Sequence, residues 1–342
     1  MSRRPPLRLL LGFALSTVLL VLLLHAVQIE KVMATLRSVR PDLLALLVLL
    51  HAVILGMRIQ RWGLIVDGGS RPSWRRRRLV AEASLVGWFV DSALPLKAGE
   101  VARPWVYARS TGRSFLDLLG TVTLERVLDL MALAALFALA FGVLPGARLP
   151  DGFAQFAIFG FVASLGGFVA VLSLRRWGPT EMPEFGDSPS IRVRALAAAV
   201  RFREGLGLFD RPALLARVVA WTTVIWVVET GAVALTLAAC GVDLAWATGP
   251  SGLAASGSQV VISTVALGLP SAPTGIGVDQ WATIFALRPF GVDDAVATAV
   301  SIVDIACVLI WVLPLGLLAV FRGSAGPGVL RELEERPGAH DS

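Results

Sequence analysis

Four residues in the first half of the chain have the types and spacing of an anion-binding site. Lys97, Gly99, Glu100 and Arg103 follow a proline that should end one helix, so a new helix is expected near Glu100. The first turn of a helix exposes free N–H groups and a partial positive charge, which favour a phosphate. We therefore predict that Lys97, Arg103 and this helix start bind a phosphate. The same basic side chains could instead be anchors at the lipid headgroup layer.

A second charged group, Glu125, Arg126 and Asp129, lies within an otherwise apolar segment. Glu125 and Asp129 are four residues apart and share one helix face. Ionisable side chains at membrane depth are costly and usually face a cavity or a partner. These residues could take up a proton or orient a lipid headgroup. Equally, they could form structural salt bridges, for example with Arg58 or Arg103.

Glu229 is an acidic residue deep within another apolar segment, where it has no oppositely charged neighbour. Arg58 occupies a comparable depth in an earlier apolar segment. Because a charge at membrane depth needs a partner, the sequence predicts a contact between Arg58 and Glu229.

The remaining sequence indicates neither catalysis nor a cofactor. It contains no nucleotide-binding loop, no cluster of metal ligands and no nucleophile beside a base. His25 and His51 are isolated in apolar segments and are interpreted as packing residues, as are Cys240 and Cys307. The sequence therefore predicts no catalytic residue, no metal site and no cofactor.

Two short, polar segments position the charged residues. Residues 81–94 include Asp91 and are followed by Pro95, and residues 251–269 are followed by Pro270. Polar, broken backbone is tolerated at membrane depth only where protein or a water-filled cavity covers it. We therefore interpret both segments as re-entrant hairpins, each entering and leaving on one side of the membrane.

The turn after the second break repeats the pattern of the first turn without its charge. Pro270 and Pro273 are followed by Gly275 and Gly277, which permit tight backbone geometry before a helix expected from Val278. No Lys or Arg lies in this turn. The predicted binding site is therefore asymmetric, with its basic residues on the first hairpin.

The composition places the chain in a membrane. Of 342 residues, 56% are apolar and 16% charged, and the mean hydropathy is +0.73. Soluble domains carry roughly 25% charged residues, so an ordinary soluble enzyme is excluded; the abundance of large aliphatic residues excludes a disordered chain. Besides the hairpins, six apolar segments are long enough to cross a bilayer, at residues 7–29, 43–65, 116–141, 153–174, 213–239 and 293–321.

The basic residues predict the orientation of these spans. With six spans and two re-entrant hairpins, 22 of the 31 basic residues fall on one side of the membrane and 5 on the other. By the positive-inside rule, both termini are cytoplasmic. The same side carries the loop 175–212, in which an amphipathic surface helix is expected, and the tail 322–342.

The chain also shows signs of an internal repeat. Asp129 and Asp304 each lie 34 residues after a hairpin proline, and an offset of 175 residues relates the two halves. Each half would cross the membrane three times, so residues 1–145 and 153–321 are predicted to be inverted repeats. Interrupted segments at corresponding positions of inverted repeats are typical of secondary transporters, whose substrate site lies near the bilayer midplane.

Three motifs resemble the lysylphosphatidylglycerol synthase transmembrane-region family, also described as a flippase-like membrane domain. They are LPLKAGEVARPW at 94–105, ERVLDL at 125–130 and LPSAPTGIGV at 269–278. The resemblance implies a relative of the membrane part of bacterial lipid-aminoacylating proteins, to which movement of modified phospholipids between leaflets is ascribed. The family positions fall on Pro95, Gly99, Glu100, Arg103, Glu125, Arg126, Pro270, Pro273, Gly275 and Gly277.

Two departures from the family pattern affect the expected function. Asp91 stands where the family would carry an amide, which adds a negative charge beside the first break. The tail 322–342 is too short for the family's aminoacyltransferase domain. Lipid lysylation by this chain is therefore not expected.

The sequence thus predicts an all-α polytopic membrane protein with about six transmembrane helices and two opposed re-entrant hairpins in an inverted repeat. The expected function is to move or bind an anionic phospholipid or polyprenyl-type lipid intermediate in the bacterial inner membrane, with no nucleic-acid partner. One alternative is an intramembrane lipid-modifying enzyme using Asp91, Glu125 or Asp129. Another is a non-transporting scaffold for a lipid-modifying synthase or glycosyltransferase.

Overall fold

The regular elements of the protein are helices throughout the part of the chain that its computed structural model describes, residues 7–70, 73–94, 97–142, 153–184, 190–268 and 272–322. The helices of the first half are α1 (Leu7–Ala26), α2 (Ile29–Arg37), α3 (Pro41–Val66), α4 (Trp74–Ala93), α5 (Ala98–Thr111) and α6 (Phe115–Gly142). Those of the second half are α7 (Phe153–Trp177), α8 (Ile191–Glu204), α9 (Pro212–Ala239), α10 (Leu244–Thr248), α11 (Pro250–Ala266), α12 (Val278–Leu287) and α13 (Asp294–Arg322).

Three of the described helices, α3, α9 and α13, are long and apolar enough to cross a membrane. The first expected span is not one straight helix, because α1 ends at Ala26 and α2 continues at an angle of 87°. α6 and α7 lie at two further expected spans with 28 and 25 residues, but α6 carries three charged residues in its middle. By length and composition, the described helices thus include three candidate membrane spans, or four if the bent pair α1–α2 is one span. The expected number of six spans stays a prediction.

The first expected hairpin is present as two packed helices, α4 and α5, joined by a break. α4 ends at Ala93, and Leu94 takes an extended conformation before the following proline. α5 resumes at Ala98, two residues earlier than the start expected near Glu100. A proline that restricts the residue before it therefore separates the two helices.

Two glycines let the helices of this hairpin approach each other closely. A Cβ atom on Gly99 would lie 1.9 Å from the carbonyl oxygen of Gly87, and a Cβ atom on Gly87 would lie 2.9 Å from the Cβ of Arg103. Contacts this short are not tolerated. The α4–α5 hairpin therefore requires glycine at position 99.

The second hairpin has the same helix–break–helix form. α11 ends at Ala266, a short 3₁₀ turn covers Pro273–Gly275, and α12 begins at Val278, the start expected from the sequence. The side-chain amide oxygen of Gln280 accepts a hydrogen bond from the N–H of Gly277 at 2.6 Å, which caps the new helix.

The two hairpins lie on either side of a helical core. α6 packs against α5 of the first hairpin and α11 of the second, whereas α13 packs against α12 of the second and α4 of the first. α3 and α9 pack against each other and contact both α6 and α13. The Pro273–Gly275 turn of the second hairpin also contacts α4 of the first, so the two breaks lie near each other.

The helix expected to lie on the membrane surface in residues 175–212 is α8, and it is docked on the core. Ala197 and Val200 are buried, and α8 packs along α6. Where the chain leaves α8, a Cβ atom on Gly205 would lie 2.0 Å from the carbonyl oxygen of Asp117 at the start of α6. This close approach ties the loop to the first half of the protein.

We predict that Gly99→Ala destabilises the protein by disrupting the α4–α5 contact, at a cost of about 3 kcal/mol. Gly231→Ala is the matched control, because a Cβ at this position in α9 meets no atom within 4 Å. Thermal unfolding in detergent measures both variants. Equal melting temperatures for Gly99→Ala and Gly231→Ala would contradict the proposed close contact.

Candidate functional site

A cavity of about 370 Å³ lies between the two hairpin breaks and the helices α3, α9 and α13. Its wall combines apolar side chains of these helices with an unusual number of ionisable ones. The ionisable lining residues are His51, Arg58, Asp91, Lys97, Arg126, Glu229, Asp279 and Asp304. Charged groups around a cavity in such an apolar chain mark this as the candidate functional site.

Two residues with unusual backbone geometry face each other in this cavity. Lys97 at the first break has φ 54° and Thr274 at the second has φ 59°; among the described residues they alone are non-glycines with positive φ. Both line the cavity. A left-handed conformation is costly for such residues, and strain of this kind clusters at ligand sites and switch regions.

The start of α5, expected to bind a phosphate, is already occupied by Asp91. One carboxylate oxygen of Asp91 accepts a hydrogen bond from the N–H of Gly99 at 2.7 Å. Lys97 lies near enough to interact electrostatically with this carboxylate. Asp91 thus takes the position beside the helix N-terminus where a phosphate is expected, and Lys97 lines the cavity.

Behind the cavity lies a buried cluster of charges centred on Arg61 of α3. The Arg61 guanidinium contacts Glu125 at 2.6 Å and Asp129 at 2.5 Å, and it also donates to the hydroxyl of Thr222 in α9 at 3.1 Å. The three charged side chains are at least 96% buried. This cluster joins α3, α6 and α9.

Arg103 of α5 belongs to the same cluster. It contacts the second carboxylate oxygen of Glu125 at 2.5 Å, and its guanidinium lies 4.6 Å from the ring centroid of Trp62. Its side chain is 5% exposed and does not line the cavity. Arg103 therefore holds the first hairpin against α6.

Trp226 connects the buried cluster to the cavity. Its indole N–H donates to Asp129 at 3.0 Å, and the guanidinium of Arg58 lies 5.0 Å from its ring centroid. Arg58 also contacts Glu229 at 3.1 Å, so the pair expected from the sequence is present and links α3 to α9. One oxygen of Glu229 is buried without a hydrogen-bond partner among the described residues.

Arg126 reaches the cavity from α6. It contacts Glu100 of α5 at 3.2 Å and Asp129 at 3.4 Å, and its side chain is 37% exposed. Lys97 is also exposed and forms no salt bridge among the described residues. These two cations are therefore the ones best placed to meet a ligand.

The second half provides a neutral counterpart to this charge cluster. Ser301 donates to Asp279 at 2.5 Å and accepts from the side-chain amide of Gln280 at 3.0 Å. Thr236 donates to Asp304 at 2.6 Å. Hydroxyl groups, rather than arginines, thus contact the carboxylates on this wall.

The residues selected from the sequence separate into two layers. Asp91, Lys97, Arg126, Gly275, Arg58 and Glu229 line the cavity, whereas Gly99, Glu100, Arg103, Glu125, Asp129, Pro273 and Gly277 do not. Pro95 and Pro270 lie outside the described residues. The salt-bridge alternative for Glu125 and Asp129 describes their observed contacts: Arg103 contacts Glu125 as expected, and Arg61 is an unforeseen partner of both.

Sequence reasoning missed Arg61, Asp279 and Asp304 as site residues. Arg61 stands within a span, and that position alone was a signal that it needed a buried acidic partner. The sequence singles out Asp304 only through the repeat. His51, which the sequence predicts to be a packing residue, is buried but also lines the cavity.

Removing the central arginine should destabilise the protein strongly. Arg61→Met leaves the carboxylates of Glu125 and Asp129 buried without the guanidinium that they share. We expect this to lower the free energy of unfolding by about 3–5 kcal/mol. The exposed pair of Arg40 and Asp42 offers a control, and Arg40→Met should leave the melting temperature unchanged. Adding Asp129→Asn to Arg61→Met should recover part of the loss. A wild-type melting temperature for Arg61→Met in detergent would refute the structural role.

The chain is similar to a known protein family. The family model described as the lysylphosphatidylglycerol synthase TM region matches residues 9–316. No curated protein and no solved structure matches the chain. The family model includes both hairpins, the buried charge cluster and every described residue that lines the cavity. The family is that of a membrane protein of lipid metabolism or translocation, and the chain belongs to the lysylphosphatidylglycerol synthase transmembrane-region family.

Proposed function

We propose that this protein moves an anionic phospholipid or a polyprenyl-type lipid phosphate between the leaflets of the membrane. The observation that carries the proposal is the cavity between the two helix breaks, with Lys97 and Arg126 on its wall. Its volume of about 370 Å³ is at the lower end of the range for small ligands, roughly 300–1,000 Å³. It suits a polar headgroup, while the acyl chains remain in lipid.

The charged residues have separate roles in this proposal. Lys97 and Arg126 bind the phosphate, while Asp91 holds the turn that presents Lys97. Arg103 and Glu125 position the first hairpin from behind. The Arg58–Glu229 pair bridges α3 and α9 beside the cavity and could open as the headgroup passes.

The packing of the helices supports the inverted repeat that this proposal requires. α6 contacts α8 and α11, and α13 contacts α2 and α4. If α2 is matched to α8, α4 to α11 and α13 to α6, the contacts of α13 correspond to the contacts of α6. We therefore propose that residues 1–145 and 153–321 are inverted repeats whose hairpins alternately open the cavity to each side.

The orientation follows from the distribution of basic residues. We propose a multi-pass protein of the inner membrane with both termini, the loop 175–212 and the tail 322–342 in the cytoplasm, because 22 of 31 basic residues fall on that side. A lipid-modifying synthase or glycosyltransferase that supplies the lipid would dock there.

The enzyme alternative is less well supported by the contacts. Glu125 and Asp129 are held by Arg61, and Asp91 is held by the N–H of Gly99. A general base must be free to contact the proton that it removes. The three carboxylates considered for catalysis are instead engaged in structural contacts.

We predict that Lys97→Met slows movement of an anionic lipid about tenfold, because one charged hydrogen bond to the phosphate is lost. The assay uses the purified protein in phosphatidylcholine vesicles with a trace of acyl-labelled fluorescent phosphatidylglycerol and an external reductant that quenches the outer leaflet. Lys31→Met, at an exposed lysine of α2, is the control, and Lys97→Arg should keep most of the rate. Wild-type vesicles that move no labelled lipid faster than protein-free vesicles would refute translocation.

The orientation is tested with single cysteines in a Cys240→Ala, Cys307→Ala background, since both native thiols are buried. A membrane-impermeant maleimide added to intact spheroplasts should label Ser38→Cys, between α2 and α3, and should not label Arg77→Cys. Thr111→Cys, at the end of α5, should resemble Arg77→Cys if the first hairpin is re-entrant. Labelling of Thr111→Cys from outside would show instead that the hairpin crosses the membrane.

A further inference from the structure

The two halves place equivalent residues in equivalent contacts, with one difference in charge. Adding 175 to Arg61 and Asp129 gives Thr236 and Asp304. Arg61 contacts Asp129 at 2.5 Å, and Thr236 contacts Asp304 at 2.6 Å. The equivalent carboxylate is therefore paired with a guanidinium in the first half and with a hydroxyl group in the second.

A second pair of contacts shows the same change. Arg126 of α6 contacts Glu100 near the start of α5, and Ser301 of α13 contacts Gln280 near the start of α12. Arg126 and Ser301 are again 175 residues apart. The second half thus keeps the geometry but has lost both arginines, and Asp304 keeps its carboxylate without a cation.

No basic side chain among the described residues replaces the missing arginine as a salt-bridge partner of Asp304. Among the described residues it forms no salt bridge, and α2, which also packs against α13, places no titratable side chain on the cavity wall. The ionisable groups that share the cavity with Asp304 are His51 and Arg58 of α3, Asp91 of α4, Lys97 at the first break, Arg126 of α6, Glu229 of α9 and Asp279 of α12. The buried thiols of Cys240 and Cys307 are also nearby.

The cations in this set have other partners. Arg58 is engaged by Glu229 at 3.1 Å, and Lys97 interacts with Asp91 and Asp279. The ring Nδ1–H of His51 donates to the carbonyl oxygen of Leu47 at 2.9 Å, since a carbonyl can only accept. His51 is thus held by its own helix and forms no salt bridge with Asp304 among the described residues.

We propose that Asp304 is a proton-binding site that couples movement of the lipid to the proton gradient. The proposal rests on the proposed function and adds its energy source. A half-buried carboxylate that forms no salt bridge can be neutralised by a proton, and the nearby carboxylates of Asp279 and Glu229 add to its negative surroundings.

The coupling follows from the charge balance of the cavity. When an anionic headgroup binds Lys97, that lysine no longer compensates Asp279, and the acidic wall binds a proton more tightly. Linkage makes this effect reciprocal, so a proton on Asp304 strengthens binding of the headgroup. One proton enters from water on one side, forms an O–H bond with Asp304 and leaves to water on the other side. Proton and singly charged headgroup move together, without net transfer of charge.

The experiment uses the full-length protein in phosphatidylcholine vesicles with trace acyl-labelled fluorescent phosphatidylglycerol and an imposed pH gradient. Labelled lipid should accumulate in the leaflet facing the alkaline side, with the leaflet ratio changing about tenfold per pH unit for one proton. Collapsing the pH gradient with nigericin should abolish the accumulation. A potassium diffusion potential set by valinomycin should produce none, because the coupled movement is electroneutral.

Two variants assign the effect to Asp304. Asp304→Asn keeps the shape and can still accept from Thr236, and its leaflet ratio should stay near one in the gradient. Glu30→Gln, at an exposed acid of α2, is the matched control and should accumulate lipid like wild type. Thr236→Val removes the hydroxyl donor and should move the pH of half-maximal accumulation upward. Melting temperatures in detergent show whether each variant is folded.

Each other outcome overturns a defined part of the proposal. If the wild-type protein moves lipid equally with and without the pH gradient, proton coupling is refuted but translocation is not. A folded Asp304→Asn that still accumulates lipid refutes the assignment to this residue. A third outcome is that Asp304→Asn keeps its response to the pH gradient but no longer moves fluorescent phosphatidylethanolamine. In that case Asp304 binds the ammonium group of a lipid headgroup rather than a proton. No movement of any labelled lipid overturns coupling and translocation together.

Discussion

A buried guanidinium holds the first half of this protein together. Arg61 lies within a membrane-spanning helix, where an unpaired charge would be very costly, and it is surrounded by Glu125, Asp129 and the hydroxyl of Thr222. Each of these partners comes from a neighbouring helix, so α3, α6 and α9 must be in register for the charge to be satisfied. Arg103 shares Glu125 with Arg61 and thereby attaches the first hairpin to the same cluster.

This arrangement also explains why the two hairpins are not equivalent. The first hairpin is fixed by ion pairs and a close glycine contact at Gly99. The second hairpin is held by hydroxyl and amide hydrogen bonds, such as those between Gln280, Ser301 and Asp279. A hydroxyl or amide group satisfies a carboxylate without adding positive charge. The two hairpins therefore differ in the charge of the contacts that hold them.

The cavity itself is made by the two breaks, each of which has a strained residue. Lys97 and Thr274 adopt positive φ values and both line the cavity. At membrane depth the free backbone groups of a broken helix must find partners in protein or in a water-filled space. Asp91 and Gln280 satisfy one N–H group each. A break in a membrane helix thus creates both the cavity and the polar groups that line it.

Much of the local structure was evident in the sequence, because helix ends depend on nearby residues. The prolines and glycines around the breaks predicted where α4 and α11 stop and where α12 begins, and the apolar segments gave α3, α9 and α13 within two residues. The contact between Arg58 and Glu229 followed from their similar depth. A charged residue within an apolar helix indicates that a partner for its charge lies elsewhere in the fold.

The sequence did not show which partner each charge would choose, since that depends on how distant helices are packed. Tertiary structure alone decided that Arg61, rather than Arg58, neutralises Glu125 and Asp129. It also put Asp91 at the helix start where a phosphate was expected. The sequence by itself determined where helices break and which residues carry charge, because those are local properties. Only the packed helices decided which charges are compensated and which face the cavity, because Coulomb energy depends on distances in space.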